Sequence, residues 1–374
     1  MEHEFSQKII DTLGKIYGKN AKNIYSQSPL LQYINIKTKS ASRGSKSRGS
    51  FANLYAIYIL VEDYIAKGYV KHNAYREYDG AIFSALFRRQ RELPFGSKLQ
   101  NHALNHRLNE EFKKYFPTVD NLPIIRNVET NRYWINENLI KIEQNGQTIN
   151  LATTIIKIID LYVEAKREAL KSFIDACTKL EKLAKNNPSK VERFIFDLLA
   201  PNVDARLFEI VSYAILKYFY HDQKVYFGFT LKSIKKENLK LFKTGRTNAN
   251  DGGIDFVMRP LGRFFQVTET LDVSKYFLDI EKVERYPITF VIKSEKNPEE
   301  LIQLIKRKAE KRYPVTKIVD RYILSIEEIV NLKKLKNYYS NAIKKDYSSA
   351  ILNEIIKQSR IEFQYYDEDE EEIE

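Results

Sequence analysis

From Asp204 onward, helical spacing alternates with short apolar strands, and few architectures accommodate that rhythm. A helix is expected over about Asp204–Tyr220, with strands at Lys224–Phe229, Gly253–Met258 and Arg263–Glu269. Asp272–Arg285 reads as a helix stopped by Pro287, and Ile288–Lys293 as a β-branched strand. Asn297-Pro298 then caps and opens another helix ending near Pro314, because proline is tolerated at the first helical position. Ile318–Leu324 reads as a further strand, and Ser325-Ile326-Glu327-Glu328 has capping-box spacing for the next helix. The order α-β-β-β-α-β, then α-β-α, predicts an α/β fold with a mixed sheet covered by helices on both faces.

The N-terminal half reads mainly helical. Phe5–Tyr17 has helical spacing, and so does Phe51–Ala66, with Ser50 available to cap it. Further helices are expected over Gly80–Gln90 and from Ser97 to about Tyr115, separated by the turn Leu93-Pro94-Phe95-Gly96. Arg132–Glu137 and Leu139–Leu151 look extended, with Asn145-Gly146 as a hairpin turn. A long helical pattern runs from Asn150 to about Lys185, and Asn186-Asn187-Pro188-Ser189 interrupts it. These signals divide the chain into a mainly helical domain, 1–187, an α/β domain, 188–366, and an acidic tail, 367–374.

The chain carries a formal charge of +12, unevenly distributed. Asp367 to Glu374 contains seven acids, so the remainder carries +19. An excess of that size suits a polyanionic partner, since each Lys or Arg on a phosphate releases condensed counterions. It is also what an AT-rich genome rich in Lys, Asn, Ile and Tyr codons produces. Cys177 is the only cysteine, which rules out a disulfide or a cysteine-based zinc site within one chain and fits a reducing cytoplasm. The acidic Met1-Glu2-His3-Glu4 start is unlike a signal peptide, and no run reaches the roughly 18 apolar residues of a membrane span. A soluble, cytoplasmic protein without a membrane partner is expected.

One stretch concentrates the chemistry. Gly252-Gly253-Ile254-Asp255 leads into an apolar strand, and a carboxylate there is costly unless paired, hydrogen-bonded or bound to a metal. Pro260-Leu261-Gly262 makes a tight return. The next strand then sends Phe264, Gln266 and Thr268 to one face, and Phe265, Val267 and Glu269 to the other. An antiparallel hairpin brings Asp255 beside the Gln266 region. Taken alone, an Asp after Gly-Gly also reads as a turn cap.

These residues and the order of elements resemble the PD-(D/E)XK nuclease superfamily, and restriction endonucleases in particular. The family core is a helix, a β-meander, a helix and a further strand, with the catalytic Asp opening the second strand. Gly252-Gly253-Ile254-Asp255 with a later Gln is similar to the Mrr-like branch, whose third strand carries Gln-x-Lys; here Thr268 stands in the Lys position. The resemblance covers roughly Asn202–Ser325. It implies that Asp255 ligates Mg²⁺, with Gln266 and the Val267 carbonyl completing the protein ligands. It also implies a Glu on the first helix near the metal. Glu209 is the candidate there, although it reads equally as a solvent-facing residue or a partner of Arg206. With Thr268 in the Lys position, Glu269 or Lys275 is a candidate to orient the attacking water.

DNA contacts have three candidate sources. Lys243–Asn250 precedes the catalytic strand, and Lys243, Arg246, Thr247, Asn248 and Asn250 have side chains that read bases or hold phosphates. Ser42–Ser50, with Arg43, Lys46 and Arg48, is either a phosphate-binding segment or a plain linker. Phe87–Arg107 has the outline of a helix-turn-helix, with Gln100, Asn101, Asn105 and Arg107 as base readers and the Asn145-Gly146 hairpin as a wing. His102 and His106 have metal-ligand spacing but no evident third ligand, so surface or phosphate contact is the expectation. The 25 tyrosines read as core and interface residues rather than stacking platforms.

The resemblance implies a type II restriction endonuclease. It would be a homodimer that hydrolyses double-stranded DNA with Mg²⁺ to leave 5′-phosphate ends, and it would be accompanied by a cognate DNA methyltransferase. A modification-dependent, Mrr-like endonuclease and a non-catalytic DNA-binding protein with a degenerate nuclease fold remain as alternatives. No Walker loop, Gly-x-Ser-x-Gly elbow or His-Glu-x-x-His occurs, which disfavours ATP-driven, serine-hydrolase and zincin chemistry.

Overall fold

The computed structural model describes residues 2–39, 47–71, 74–97, 99–144, 146–183, 187–201, 203, 205–244 and 254–363, without the side chains of 47–49. The chain divides into two compact units, Met1–Ser172 and Phe173–Glu374. The division falls inside a long helix, upstream of the Asn186–Ser189 break.

The first unit contains α1 (Glu4–Tyr17), α2 (Ala21–Gln27), α3 (Pro29–Thr38), α4 (Ser47–Ala66), β1 (Ala81–Ile82), α5 (Phe83–Glu92) and α6 (Leu108–Tyr115). Next come β2 (Ile124–Asn127), β3 (Arg132–Ile135), α7 (Glu137–Ile140), β4 (Lys141–Gln144), β5 (Gln147–Asn150) and the first part of α8 (Ala152–Leu183). From Phe51 to Ile57 every residue of α4 is buried, as its all-round apolar sequence requires. Ser50 lies in the first turn of α4, because the helix begins at Ser47 rather than after a Ser50 cap. Tyr33, Tyr55, Tyr64 and Tyr162 are fully buried. The hydroxyls of Tyr55 and Tyr64 find partners at the Pro94 carbonyl (2.5 Å) and at Glu137 (2.7 Å). The helix expected from Ser97 starts later: a π-helical turn at Ala103–Arg107 leads into α6. β1, β3 and β2 form a small antiparallel sheet, and β4 and β5 form the expected hairpin. Leu139 and Ile140, expected as extended, end α7 instead.

The second unit begins with the rest of α8 and α9 (Pro188–Leu198), which Asn187 caps by accepting from the Lys190 amide. α10 (Ala205–Tyr220) follows, then β6 (Lys224–Phe227), β7 (Lys235–Asn238), β8 (Lys240–Lys243), β9 (Phe256–Arg259) and β10 (Arg263–Thr268). Helix α11 (Val273–Lys282) leads to β11 (Ile288–Ile292), and α12 (Pro298–Arg312) and α13 (Thr316–Leu324) lead to β12 (Ile326–Val330). α14 (Leu332–Ile343) and α15 (Ser348–Phe363) complete the described chain. Five strands form one mixed sheet in the order β12-β11-β10-β9-β8. β8, β9 and β10 are an antiparallel meander, whereas β10, β11 and β12 are parallel and joined through helices.

Alternation along the strands makes two cores. Phe256, Met258, Phe265, Val291 and Val330 pack with α10, α14 and α15. Ile288, Phe290, Ile292 and Ile329 pack with α11, α12 and α13. The helix-covered mixed sheet predicted from the rhythm is present, but three local expectations are corrected. Lys224–Phe227 does not join the meander; it pairs with β7 as a separate hairpin, and the first meander strand is Lys240–Lys243. Ile318–Leu324 is helical, not extended, because Val319 and Tyr322 pack one turn apart, and Tyr322 stacks on Phe277 at 3.9 Å. Ser325–Glu328 does not cap a helix: Ile326–Val330 pairs in parallel with β11, and Ile329 and Val330 fill opposite cores.

Candidate active site

Asp255 stands where β9 begins. Its amide donates to the Phe265 carbonyl at 3.0 Å, and its own carbonyl accepts from the Thr244 amide at 3.1 Å. The β9–β10 register runs as far as Phe256 opposite Phe265. At the next step along β10, the Val267 amide donates to Asp255 Oδ2 at 2.7 Å. The carboxylate therefore serves as the acceptor that another strand residue would have supplied, and this fixes it against the β10 backbone. The Gly252-Gly253 approach lies outside the described residues.

Gln266 and Thr268 share the α11 face with Phe290 and Ile292, their register partners on β11. Gln266 is only 6% exposed, and no described group donates to its buried Oε1. A buried orphan acceptor is uncommon and calls for a donor or a cation. Thr268 is committed to a turn: its hydroxyl donates to the Thr270 carbonyl at 3.2 Å and accepts from the Thr270 amide at 3.3 Å. Tyr276 on α11 donates to the same carbonyl at 3.1 Å.

The opposite face carries two ion pairs. Glu209 on α10 is buried and meets Lys243 of β8 at 2.9 Å. Lys243 faces α10 because it pairs in register with Phe256. Glu269, one residue beyond β10, meets Lys293 at 2.6 Å. The Lys293 side chain is 4% exposed; its ammonium also donates to the Val203 carbonyl at 2.9 Å and lies 5.2 Å from the Phe208 ring centre. Glu209 thus pairs with Lys243 rather than standing alone, and Gln266 and Thr268 face away from Glu209. Lys275 is exposed in the first turn of α11. Sequence reasoning did not single out Lys293. Its signal is position: it follows the β-branched run Ile288–Ile292, and the parallel register sets it beside the end of β10, where its amide donates to the Thr268 carbonyl at 3.0 Å.

Among the other candidates, Asn101 lies in the turn before the π-helical segment, so it is not a helix residue. Asn105 is half-buried and accepts from the Tyr133 hydroxyl at 3.3 Å. Arg107 is exposed. The His102 and His106 rings lie 6.0 Å apart. Arg43, Lys46, Arg246, Thr247, Asn248 and Asn250 lie outside the described residues, as does the side chain of Arg48.

Among the described residues no three His, Cys, Asp or Glu side chains gather closely enough to hold a metal. The available donors are oxygens: the Asp255 carboxylate, the orphan Gln266 amide and the Val267 carbonyl. That set fits a hard cation which keeps several waters, and not a soft or histidine-bound ion. Searches of protein-family models, curated proteins and solved structures found no match to this chain.

Proposed function

We propose that this chain is a Mg²⁺-dependent endonuclease of the PD-(D/E)XK kind, cutting duplex DNA as a type II restriction enzyme and working as a homodimer. The observation that carries the reading is the path of the chain around Asp255. Helix α10, the antiparallel meander β8-β9-β10, the crossover α11 and the parallel strand β11 follow in the order of that nuclease core. Within it, the carboxylate at the start of the second meander strand is held on the third.

Asp255, Gln266 and the Val267 carbonyl would hold the ion. A bound Mg²⁺ supplies a more acidic water and neutralises charge on the scissile phosphate. The protein contributes position and charge. Val267 fixes the Asp255 carboxylate, while Lys293, held by Glu269 and the Val203 carbonyl, lies on the other face of the sheet from Gln266 and Thr268. Hydrolysis would leave 5′-phosphate ends, and a cognate DNA methyltransferase would protect the host sites.

A second reading also has an observation in its favour. Thr268 occupies the family's Lys position yet is used in a turn, as expected of a DNA-binding protein whose nuclease centre has degenerated.

Cleavage assays on unmethylated and methylated phage DNA, with and without Mg²⁺, separate these readings. Asp255→Asn is the appropriate control, because the amide oxygen keeps the Val267 contact and removes the charge. Discrete bands on unmethylated DNA that need Mg²⁺ and vanish in Asp255→Asn are the expected result. Cleavage of methylated DNA alone would instead mark a modification-dependent, Mrr-like enzyme. DNA binding by both proteins without cutting would leave the degenerate reading.

A further inference from the structure

The β6–β7 hairpin contributes one side chain to the core, the partly buried Val225, and otherwise stands in solvent. Its tip nevertheless has a defined shape. The Thr230 amide donates to Ser233 Oγ at 2.9 Å, and the Ser233 amide returns to the Thr230 carbonyl at 3.0 Å. Gly228 packs so closely on this turn that a Cβ would lie 2.6 Å from the Ser233 carbonyl oxygen. The turn so fixed holds Phe229 and Leu231 at 94% and 89% exposure, with Tyr226 at 74% just below. Ordered apolar side chains held in water mark an interaction surface.

Charge narrows the partner. Between Lys224 and Asn238 there are four lysines and one acid, and none of the four has an ion-pair partner among the described residues. Lys235 and Lys236 stand in register with Phe227 and Tyr226, so each of these cations lies across the hairpin from an aromatic ring. Beyond the hairpin, Lys240 and Phe242 of the edge strand β8 and Arg259 of β9 line an open recess together with Glu237 and Asn238. Strand β8 leads into the segment ending at Asp255. A second copy of the hairpin would set lysine against lysine, whereas a nucleic acid offers phosphates to the lysines and bases to the rings.

We propose that this hairpin is a DNA-gripping arm: Lys232, Lys235 and Lys236 hold phosphates while Phe229 and Leu231 press against or between bases. The proposal rests on the reading of DNA as substrate, and it adds the surface that engages it.

The test is fluorescence anisotropy of the full-length chain with a short duplex across a salt series without Mg²⁺. It compares wild type, Phe229→Ala/Leu231→Ala and Lys232→Ala/Lys235→Ala/Lys236→Ala, with circular dichroism to verify folding. The lysine variant should make the slope of log affinity against log salt shallower by about 2–3, since each phosphate contact contributes roughly 0.9. The tip variant should weaken binding by roughly tenfold with the slope unchanged. If wild type binds DNA and both variants bind equally well, the arm is overturned while the nuclease reading stands. If wild type binds no DNA, both fall. Tip-dependent binding to phosphatidylserine vesicles, or a tip-dependent dimer in ultracentrifugation, with DNA affinity unaltered, would overturn the arm in favour of a membrane or a second copy.

Discussion

Lys293 sits at the end of a parallel strand with its ammonium almost fully enclosed, and such a charge persists only when every donor is used. Glu269 and the Val203 carbonyl supply two acceptors, and the Phe208 face adds a weaker attraction. Lys293→Met keeps the stem and deletes the charge, leaving Glu269 without its partner. Unfolding in urea should show a loss of about 1–3 kcal/mol. Because Lys293 faces α10, across the sheet from Gln266, Mg²⁺-dependent cleavage by Lys293→Met should fall no further than the amount of folded protein does. Cleavage that falls much further than folding would overturn this structural role and place Lys293 at the reacting site. The contact of Asp255 with β10 was legible in the sequence, because a carboxylate entering an apolar strand needs a hydrogen-bond partner there. Lys293 was not, because a lysine after a strand is the commonest solvent-facing arrangement; only the parallel neighbour encloses it.

At the scale of elements, β10 is held at both ends by polar contacts. Its first residue, Arg263, reaches Glu327 at 3.2 Å and also bonds Glu328, which meets Lys334 at 2.8 Å. Burial alone would raise the Glu328 carboxyl, but hydrogen bonds from Lys334 and Arg263 outweigh it and hold it below the ordinary 4.5. A carboxyl depressed in the folded state adds stability above its unfolded value, and that stability is lost as pH falls through the folded one. Stability should therefore decline as pH drops below about 4.5, and Glu328→Gln should flatten this decline while lowering stability at neutral pH. Thermal unfolding across pH checks both; an unaltered acid limb in the variant would reject the assignment. The elements here were read unevenly. α11, β11 and α12 followed from proline, capping and β-branched signals. Ile318–Leu324 and Ile326–Val330 were exchanged, because β-branched residues favour strands until tertiary packing selects another spacing. In α13 that spacing is one helical turn, set by the stack of Tyr322 on Phe277.

For the whole molecule, charge distribution makes a prediction of its own. The acidic stretch from Asp367 offsets seven positive charges on a chain whose remainder carries +19. Truncation after Tyr366 should raise the salt concentration needed to elute the protein from heparin and strengthen its binding to DNA. Unchanged elution would mean that the tail's charge does not reach the binding surface. No described helix is long and apolar enough to cross a membrane, in line with the sequence. What the sequence determined by itself was local: the succession of helices and strands from β9 to α12, the hairpin placing Asp255 on β10, and the alternation sending Gln266 and Glu269 to opposite faces. These follow from backbone periodicity, which each segment carries alone. The tertiary structure decided which strand opens the meander, which helix each face meets, and which charges are paired. It gave Glu209 to Lys243 and Glu269 to Lys293, and left Gln266 with an unmet acceptor. Those outcomes depend on residues far apart in sequence arriving at one place, and no single segment's periodicity specifies its neighbour across a sheet.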